Sequence, residues 1–309
     1  MPILPLDSLK FDINVLTREA EFVNLFRMSR LFSNLKKHNI GENIMDIIRA
    51  SACTYALRNK SVDYALKIVA EAGFKKVDLW GGMPHFSINE SEYSVDELAE
   101  IAEKYSVQIA NIGTYCGQRF SSDSKEEIEL ELKNTKKTID IAKRLGARSI
   151  RIVPGNGERA TIDKIVPYFK KSAEYAELKG VYMGFENHGG EISGNPEVCA
   201  ELSEKVGSKH FGVLYEPCNL MHAGVDYKKA FAVFSQYVTH VHVKDGAPNA
   251  DGKFQGTMLG DGIIDVKWVV ENLNKAGYMG DFALEYEVEN IEPVETGLKK
   301  WFEYWETID

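Results

Sequence analysis

From about residue 50 onward, the chain alternates between short apolar runs and longer segments of helical period. Eight runs stand out, over 48–55, 76–80, 108–114, 149–154, 182–186, 212–216, 238–243 and 282–286. Most are rich in β-branched or aromatic residues and end on Gly, Pro or Asn, as strands feeding loops do. Between them lie amphipathic stretches such as 62–72, 95–105, 126–145 and 162–178, whose apolar residues recur on one helical face. Ser61, Ser94, Ser124, Thr161 and Asp265 stand just ahead of such stretches, where a side-chain oxygen can accept an orphan backbone N–H. Gly73, Gly146, Gly180, Gly207 and Gly277 close them, as left-handed helix ends require.

Eight β-then-α units, with strands starting about 25–45 residues apart, predict an α/β protein of the (β/α)8 TIM-barrel type. The competitor is an open doubly wound sheet, which would usually carry a glycine-rich phosphate loop after its first strand. Cys53–Arg58, the residues in that place, contain no glycine. The barrel is therefore assigned to 48–309 and an N-terminal helical extension to 1–47. Within the extension, Ala20–Asn34 reads as an amphipathic helix with Phe22, Val23, Phe26 and Leu31 apolar amid Arg27 and Arg30. Such a face fits either a cover over the barrel's N-terminal floor or an arm that binds a partner or a second copy. The longest loop-like stretch, 246–262, carries five glycines and follows the seventh strand, on the face where barrel enzymes build their sites.

Charge narrows the function classes. Against 37 Lys and Arg stand 46 Asp and Glu, a net charge of −9, which argues against a surface built to grip phosphodiester backbones. A small anion remains open to it, because one lysine or a metal reverses the sign within a cleft. Cys53, Cys116, Cys199 and Cys218 are scattered, with no CxxC pair, so neither a disulfide framework nor a zinc ribbon is expected. No window approaches eighteen apolar residues and the N-terminus lacks a signal-peptide pattern. The expectation is a soluble, cytoplasmic protein with no membrane and no nucleic-acid partner.

Candidate chemistry gathers at the C-terminal ends of the last four strands. Glu186 with Asn187 and His188 ends the fifth, Glu216 with Asn219 follows the sixth, His240 and His242 lead into Lys244 and Asp245 at the seventh, and Glu285 and Glu287 end the eighth. Three carboxylates and an imidazole thus arrive at one rim from four neighbouring strands. That set is mostly hard and suits Mn²⁺ first, then Mg²⁺ or Co²⁺, with Zn²⁺ less favoured. Side chains alternate along a strand, so His240 and His242 share a face, as do Glu285 and Glu287. His242 lies nearer the rim and is the expected ligand, with His240 a packed inner-layer residue. Glu285 is preferred over Glu287 because 286 and 287 already run into the loop. The predicted metal set is Glu186, Glu216, His242 and Glu285.

At these residues the chain resembles the xylose-isomerase-like TIM-barrel superfamily of sugar isomerases, ketose 3-epimerases, inosose dehydratases and apurinic endonucleases. The resemblance covers 50–290, roughly four-fifths of the chain. It rests on Glu-Asn-His at 186–188, His-Val-Lys-Asp at 242–245 and Leu-Gly-Asp-Gly-Ile-Ile-Asp at 259–265, the last similar to the family's P-G-x-G-x-[IV]-[DN] loop. Ala72-Gly73-Phe74 through Asp78-Leu79-Trp80 match less specifically. The family's ligands, Glu, Asp, His and Glu, fall on the four predicted residues, with one departure: Glu216 is a methylene longer than the usual Asp.

By that resemblance, Glu186 and Glu285 serve both as ligands and as opposed acid/base groups, and His188 is either a dedicated base or a substrate hydrogen-bonder. Asn219, Lys244 and Asp245 would contact substrate hydroxyls or order the metal shell. His85 would contact a sugar oxygen or be a mobile loop residue, and Trp80 and Tyr115 would stack on a sugar face or belong to the core. The implied activity is a metal-dependent sugar isomerase or epimerase that abstracts a proton beside a carbonyl. The alternative is a lyase using the same enolate for β-elimination, as in inosose dehydratases and C-glycoside-cleaving catalytic chains. A nuclease of the apurinic type needs a three-zinc cluster with about five histidines, and only His85, His188, His222 and His242 are candidates for the rim. A small sugar or glycoside is the expected partner, in a homo-oligomer or beside a second subunit.

Overall fold

The computed structural model describes residues 49–308. The extension expected over 1–47, with its helix at 20–34, lies outside the described residues. Seven strands come first: β1 (Ala50–Cys53), β2 (Lys76–Trp80), β3 (Gln108–Cys116), β4 (Ser149–Ile152), β5 (Tyr182–Glu186), β6 (Phe211–Tyr215) and β7 (Val238–Val243). An antiparallel hairpin of β8 (Asp245–Pro248) and β9 (Phe254–Thr257) precedes β10 (Phe282–Leu284). β10 pairs in parallel with both β7 and β1, and the other barrel strands pair in sequence order, closing an eight-stranded parallel barrel. The chain folds as the (β/α)8 TIM barrel that the apolar runs predict.

The helices are α1 (Val62–Glu71), α2 (Val95–Lys104), α3 (Lys125–Arg144), α4 (Ile162–Lys179), α5 (Pro196–Val206), α6 (Pro217–His222), α7 (Tyr227–Phe234), α8 (Val266–Lys275) and α9 (Val294–Trp305). Ser61, Ser94, Ser124 and Asp265 cap α1, α2, α3 and α8 through side-chain oxygens that accept backbone N–H groups. Thr161 does not cap α4; its hydroxyl donates to the Glu158 carbonyl instead. Gly180 and Gly207, both at positive φ, end α4 and α5. Among the described residues no helix is long and apolar enough to cross a membrane.

Strand parity separates two environments. Val77 and Leu79 of β2, Ile150 and Ile152 of β4, and Val241 and Val243 of β7 join the apolar core. The residues between them meet inside the barrel. Asp78 Oδ2 accepts from His240 Nε2 at 2.7 Å and from His242 Nε2 at 3.0 Å, across the lumen from β2 to β7. Asp78 Oδ1 accepts from Asn111 Nδ2 at 2.9 Å, and Asn111 Oδ1 accepts from Ser149 Oγ at 2.7 Å. Within the lumen these side chains form a hydrogen-bonded polar network whose members have exposures of 3 % or less.

The stretch expected as a loop over 246–262 holds the hairpin and is anchored by one carboxylate. Asp245 Oδ1 accepts the N–H groups of Gly246 (2.8 Å) and Ile264 (3.0 Å), while Oδ2 accepts those of Gly260 (3.0 Å) and Gly262 (2.9 Å). A Cβ on residue 262 would stand 2.0 Å from Asp245 Oδ1, so only glycine allows the approach. Asp245→Ala leaves four donors without their acceptor and should lower unfolding stability by about 3 kcal/mol. Urea titration followed by far-UV circular dichroism measures it; an unchanged midpoint would show that the carboxylate does not hold this segment.

Candidate active site

A cleft of about 160 Å³ opens at the C-terminal end of the barrel. Its polar end is lined by Asp78, Arg151, Glu186, His242, Lys244 and Glu285, and Tyr55, Trp80 and Tyr115 form an aromatic wall. Trp80 Nε1 donates to Tyr115 Oη at 3.3 Å, and the Arg151 guanidinium lies 5.2 Å from the centre of the Tyr115 ring.

Glu186 is the last residue of β5, His242 stands near the end of β7, and Glu285 directly follows β10. Glu285 extends the ladder by donating its N–H to the Val243 carbonyl at 3.0 Å. One donor atom from each of the three residues lies within 4.8 Å of the others, and all three are buried. His242 Nδ1 is 3.5 Å from Glu186 Oε1 and 3.3 Å from Glu285 Oε2, yet it has no hydrogen-bond partner. The bond from Nε2 to Asp78 places a proton on that nitrogen, and, against burial, the surrounding carboxylates raise the ring's pKa well above its ordinary value, so Nδ1 is a position where they hold positive charge, a proton or a cation in its place. A carboxylate behind an imidazole whose other nitrogen faces two carboxylates is the arrangement of metal-ligating histidines. The donor set therefore fits a hard divalent cation held by Glu186, His242 and Glu285.

Electrostatics make the same demand for positive charge. Burial pushes the Glu186 carboxyl up, but the adjacent Arg151 charge together with His242 outweighs it and holds the group below its ordinary value. Arg151 Nε lies 2.8 Å from Glu186 Oε2 but outside hydrogen-bond geometry, so the contact is an ion pair. Burial likewise opposes the Glu285 charge, and Lys244, 2.8 Å away, together with His242 holds that carboxyl well below the usual range. Lys244 Nζ also meets Glu287 Oε2 at 2.7 Å, so Glu287 stands at the cleft on the lysine rather than on the three-residue group. Burial and the charges of Asp78 and Glu285 push the Cys53 thiol well up, which leaves it protonated and a poor nucleophile.

The structure does not bring Glu216 to this group. Its oxygens accept the N–H groups of Cys218 (2.8 Å) and Asn219, and burial pushes its carboxyl up to about 8 against the pull of Lys244. Asn219 Nδ2 donates to Glu186 Oε1 at 3.2 Å, behind the cleft rather than in its lining. Asp245 is engaged by four backbone donors, which puts it outside the substrate's reach, contrary to one expectation for it. His85 is neither a cleft residue nor a mobile one: its ring is fully buried, with Nδ1 at 3.0 Å from Thr54 Oγ1 and Nε2 at 3.1 Å from the Lys60 carbonyl. Thr54 Oγ1 in turn accepts the Trp80 N–H, so His85 supports the aromatic wall from beneath. His188 is exposed at the cleft, where its Nδ1 accepts the Gly189 N–H at 2.8 Å. Its proton is therefore on Nε2, which suits a hydrogen-bond donor better than a base. His240 sits below the rim on Asp78.

Asp78 and Arg151 were not among the predicted site residues. Each carries a signal in the sequence: a charged side chain in mid-strand with apolar neighbours on both sides, Val77 and Leu79 or Ile150 and Ile152. A buried charge of that kind needs partners, and in a barrel strand the partners lie across the lumen.

Residues 66–308 match the family model described as xylose isomerase-like TIM barrel. An inosose dehydratase from Geobacillus thermodenitrificans is 28% identical over 153 residues, 44% of this chain and 51% of that protein, so the match spans about half of that relative's length. A xylose isomerase-like TIM barrel protein from Mycobacterium smegmatis, solved in complex with magnesium, superposes with a TM-score of 0.69 at 16% identity over 84% of this chain and 95% of that one. D-psicose 3-epimerase from Clostridium cellulolyticum, solved with D-tagatose, gives 0.67 at 14% identity over 84% and 99%. With the family model matching most of its length, the chain belongs to the xylose isomerase-like TIM-barrel family.

Proposed function

We propose that this chain is a divalent-cation-dependent enzyme that moves a proton on the carbon beside a carbonyl of a polyhydroxylated substrate, as an isomerase or epimerase does. The observation that carries it is the unpartnered Nδ1 of His242, buried and facing the Glu186 and Glu285 carboxylates. Held there by Glu186, His242 and Glu285, a cation such as Mn²⁺ or Mg²⁺ would supply Lewis acidity to a substrate carbonyl. The chain's own groups do the rest. Glu186 and Glu285 come from different strands, β5 and the end of β10, so one carboxylate can take a proton that the other returns. Arg151 and Lys244 stand beside them to stabilise negative charge that develops on substrate oxygen. Trp80 and Tyr115 offer an aromatic face to the ring hydrogens of a sugar.

β-Elimination after the same proton abstraction is the alternative. His188 favours it, because its Nε2 proton at the cleft can be offered to a departing hydroxyl, and the inosose dehydratase relative is named for such a reaction.

Glu186→Gln and His242→Ala should each abolish stoichiometric Mn²⁺ binding and cut turnover by about 10³ or more while far-UV dichroism is retained. Full turnover by either variant after chelation would refute the cation's role. Asp78→Asn, which loosens the His242 tautomer, should weaken Mn²⁺ binding about 10–100-fold in calorimetric titration. In D₂O, ketohexoses or inososes that turn over should gain deuterium beside the carbonyl. An isomerase or epimerase product keeps every hydroxyl, whereas a dehydratase product has lost water. Turnover without deuterium incorporation or water loss would rule out proton abstraction.

A further inference from the structure

We infer that Glu216 is not a ligand in this chain: the cation is held by Glu186, His242 and Glu285, while Glu216 caps α6 and positions Glu186 through Asn219. This rests on the metal centre proposed above. Glu216 is completely buried and its backbone is clamped to the neighbouring strand end. Its N–H donates to Asn187 Oδ1 at 2.8 Å, and its carbonyl accepts from Asn187 Nδ2 at 2.7 Å. From this extended residue (φ −129°, ψ 102°) the side chain folds back onto its own helix, where both oxygens accept the N–H groups of Cys218 and Asn219. With Pro217 at the first helical position, these are the orphan donors that a cap satisfies.

Each oxygen is thus held by a backbone donor, and neither is among the donor atoms that converge from Glu186, His242 and Glu285. Across to the three-residue group, Lys244 Nζ lies 4.0 Å from Glu216 Oε2 and 2.8 Å from Glu285 Oε2, so a positive charge already bridges that interval. Turning Glu216 inward would strand the buried Cys218 N–H and the half-buried Asn219 N–H. The capped helix instead presents Asn219, whose Nδ2 donates to Glu186 Oε1 at 3.2 Å and to the Asn187 carbonyl at 3.3 Å. Glu216 is thus a positioning residue. Three protein ligands leave more open positions on the ion for water and substrate oxygens than four would.

The test is calorimetric titration of Mn²⁺ into the full, chelator-stripped chain. Wild type should bind one equivalent. Glu216→Gln, which keeps an acceptor for α6, should bind within about fivefold of wild type but melt at a lower temperature. Glu285→Gln should lose about 100-fold or more, and Asn219→Ala about tenfold, as partners of ligands do. A loss in Glu216→Gln as deep as in Glu285→Gln would overturn the inference while leaving the metal centre standing, and unchanged binding by Asn219→Ala would overturn the positioning role. Absence of binding by wild type would overturn the metal centre and this inference together. Should Glu216→Gln fail to fold, anomalous diffraction from the wild type with Mn²⁺ decides: a Glu216 oxygen on the ion refutes the inference, and one on Cys218 and Asn219 upholds it.

Discussion

Two buried carboxylates closing on one imidazole nitrogen is an arrangement that persists only where positive charge stands among them. The surrounding structure at the rim answers to that constraint. Arg151 comes from β4 to Glu186, Lys244 follows β7 to reach Glu285, and Asp78 rises from β2 to hold the far side of His242. Each of these charges would be costly in isolation. Together they form a closed set in which no carboxylate faces the interior without a cation or a hydrogen-bond donor.

The barrel makes this possible by an inversion of its usual filling. Lumens of this fold are commonly packed with branched apolar side chains. Here the lumen holds Asp78, Asn111, Ser149, His240 and His242, linked between the neighbouring strands β2, β3 and β4 and, through His240 and His242 on Asp78, between β7 and β2, which are not neighbours in the sheet. Apolar packing is displaced to the outward faces of the same strands, where Val77, Leu79, Ile150, Ile152, Val241 and Val243 meet the core. One set of strands thus supplies adhesion on one side and orientation on the other. Distances within the rim group follow from strand positions rather than from loops.

Most of the architecture was legible in the amino-acid order because it depends on local rules. Apolar runs and capping residues mark strands and helix starts, and period-two parity separates His242 from residues on the outer face. The hairpin within 246–262 escaped notice because its strands, Asp245–Pro248 and Phe254–Thr257, carry glycine and proline and little alternation. Thr161 has a cap's chemistry without its geometry, since its hydroxyl turns to Glu158. At the site, the positions of Glu186, His242 and Glu285 could be inferred from strand ends alone. Whether Glu216 turns toward the cleft or back toward its helix could not, because that choice is made by torsions after the strand has ended. Asp78 and Arg151 were hidden for a different reason: their importance lies in partners remote in sequence.

The four backbone groups gathered by Asp245 separate the hairpin from the barrel as a clasp separates a pendant from its chain. Gly246 and Gly260 are pinned to the Asp245 carboxylate, so the excursion between them begins and ends at one fixed point. Lengthening a segment whose ends are already joined carries only a slowly growing entropic cost. Residues 249–253 at the tip are therefore a natural port for grafting, where a reporter peptide or a recognition loop could be spliced in without disturbing the barrel's registration.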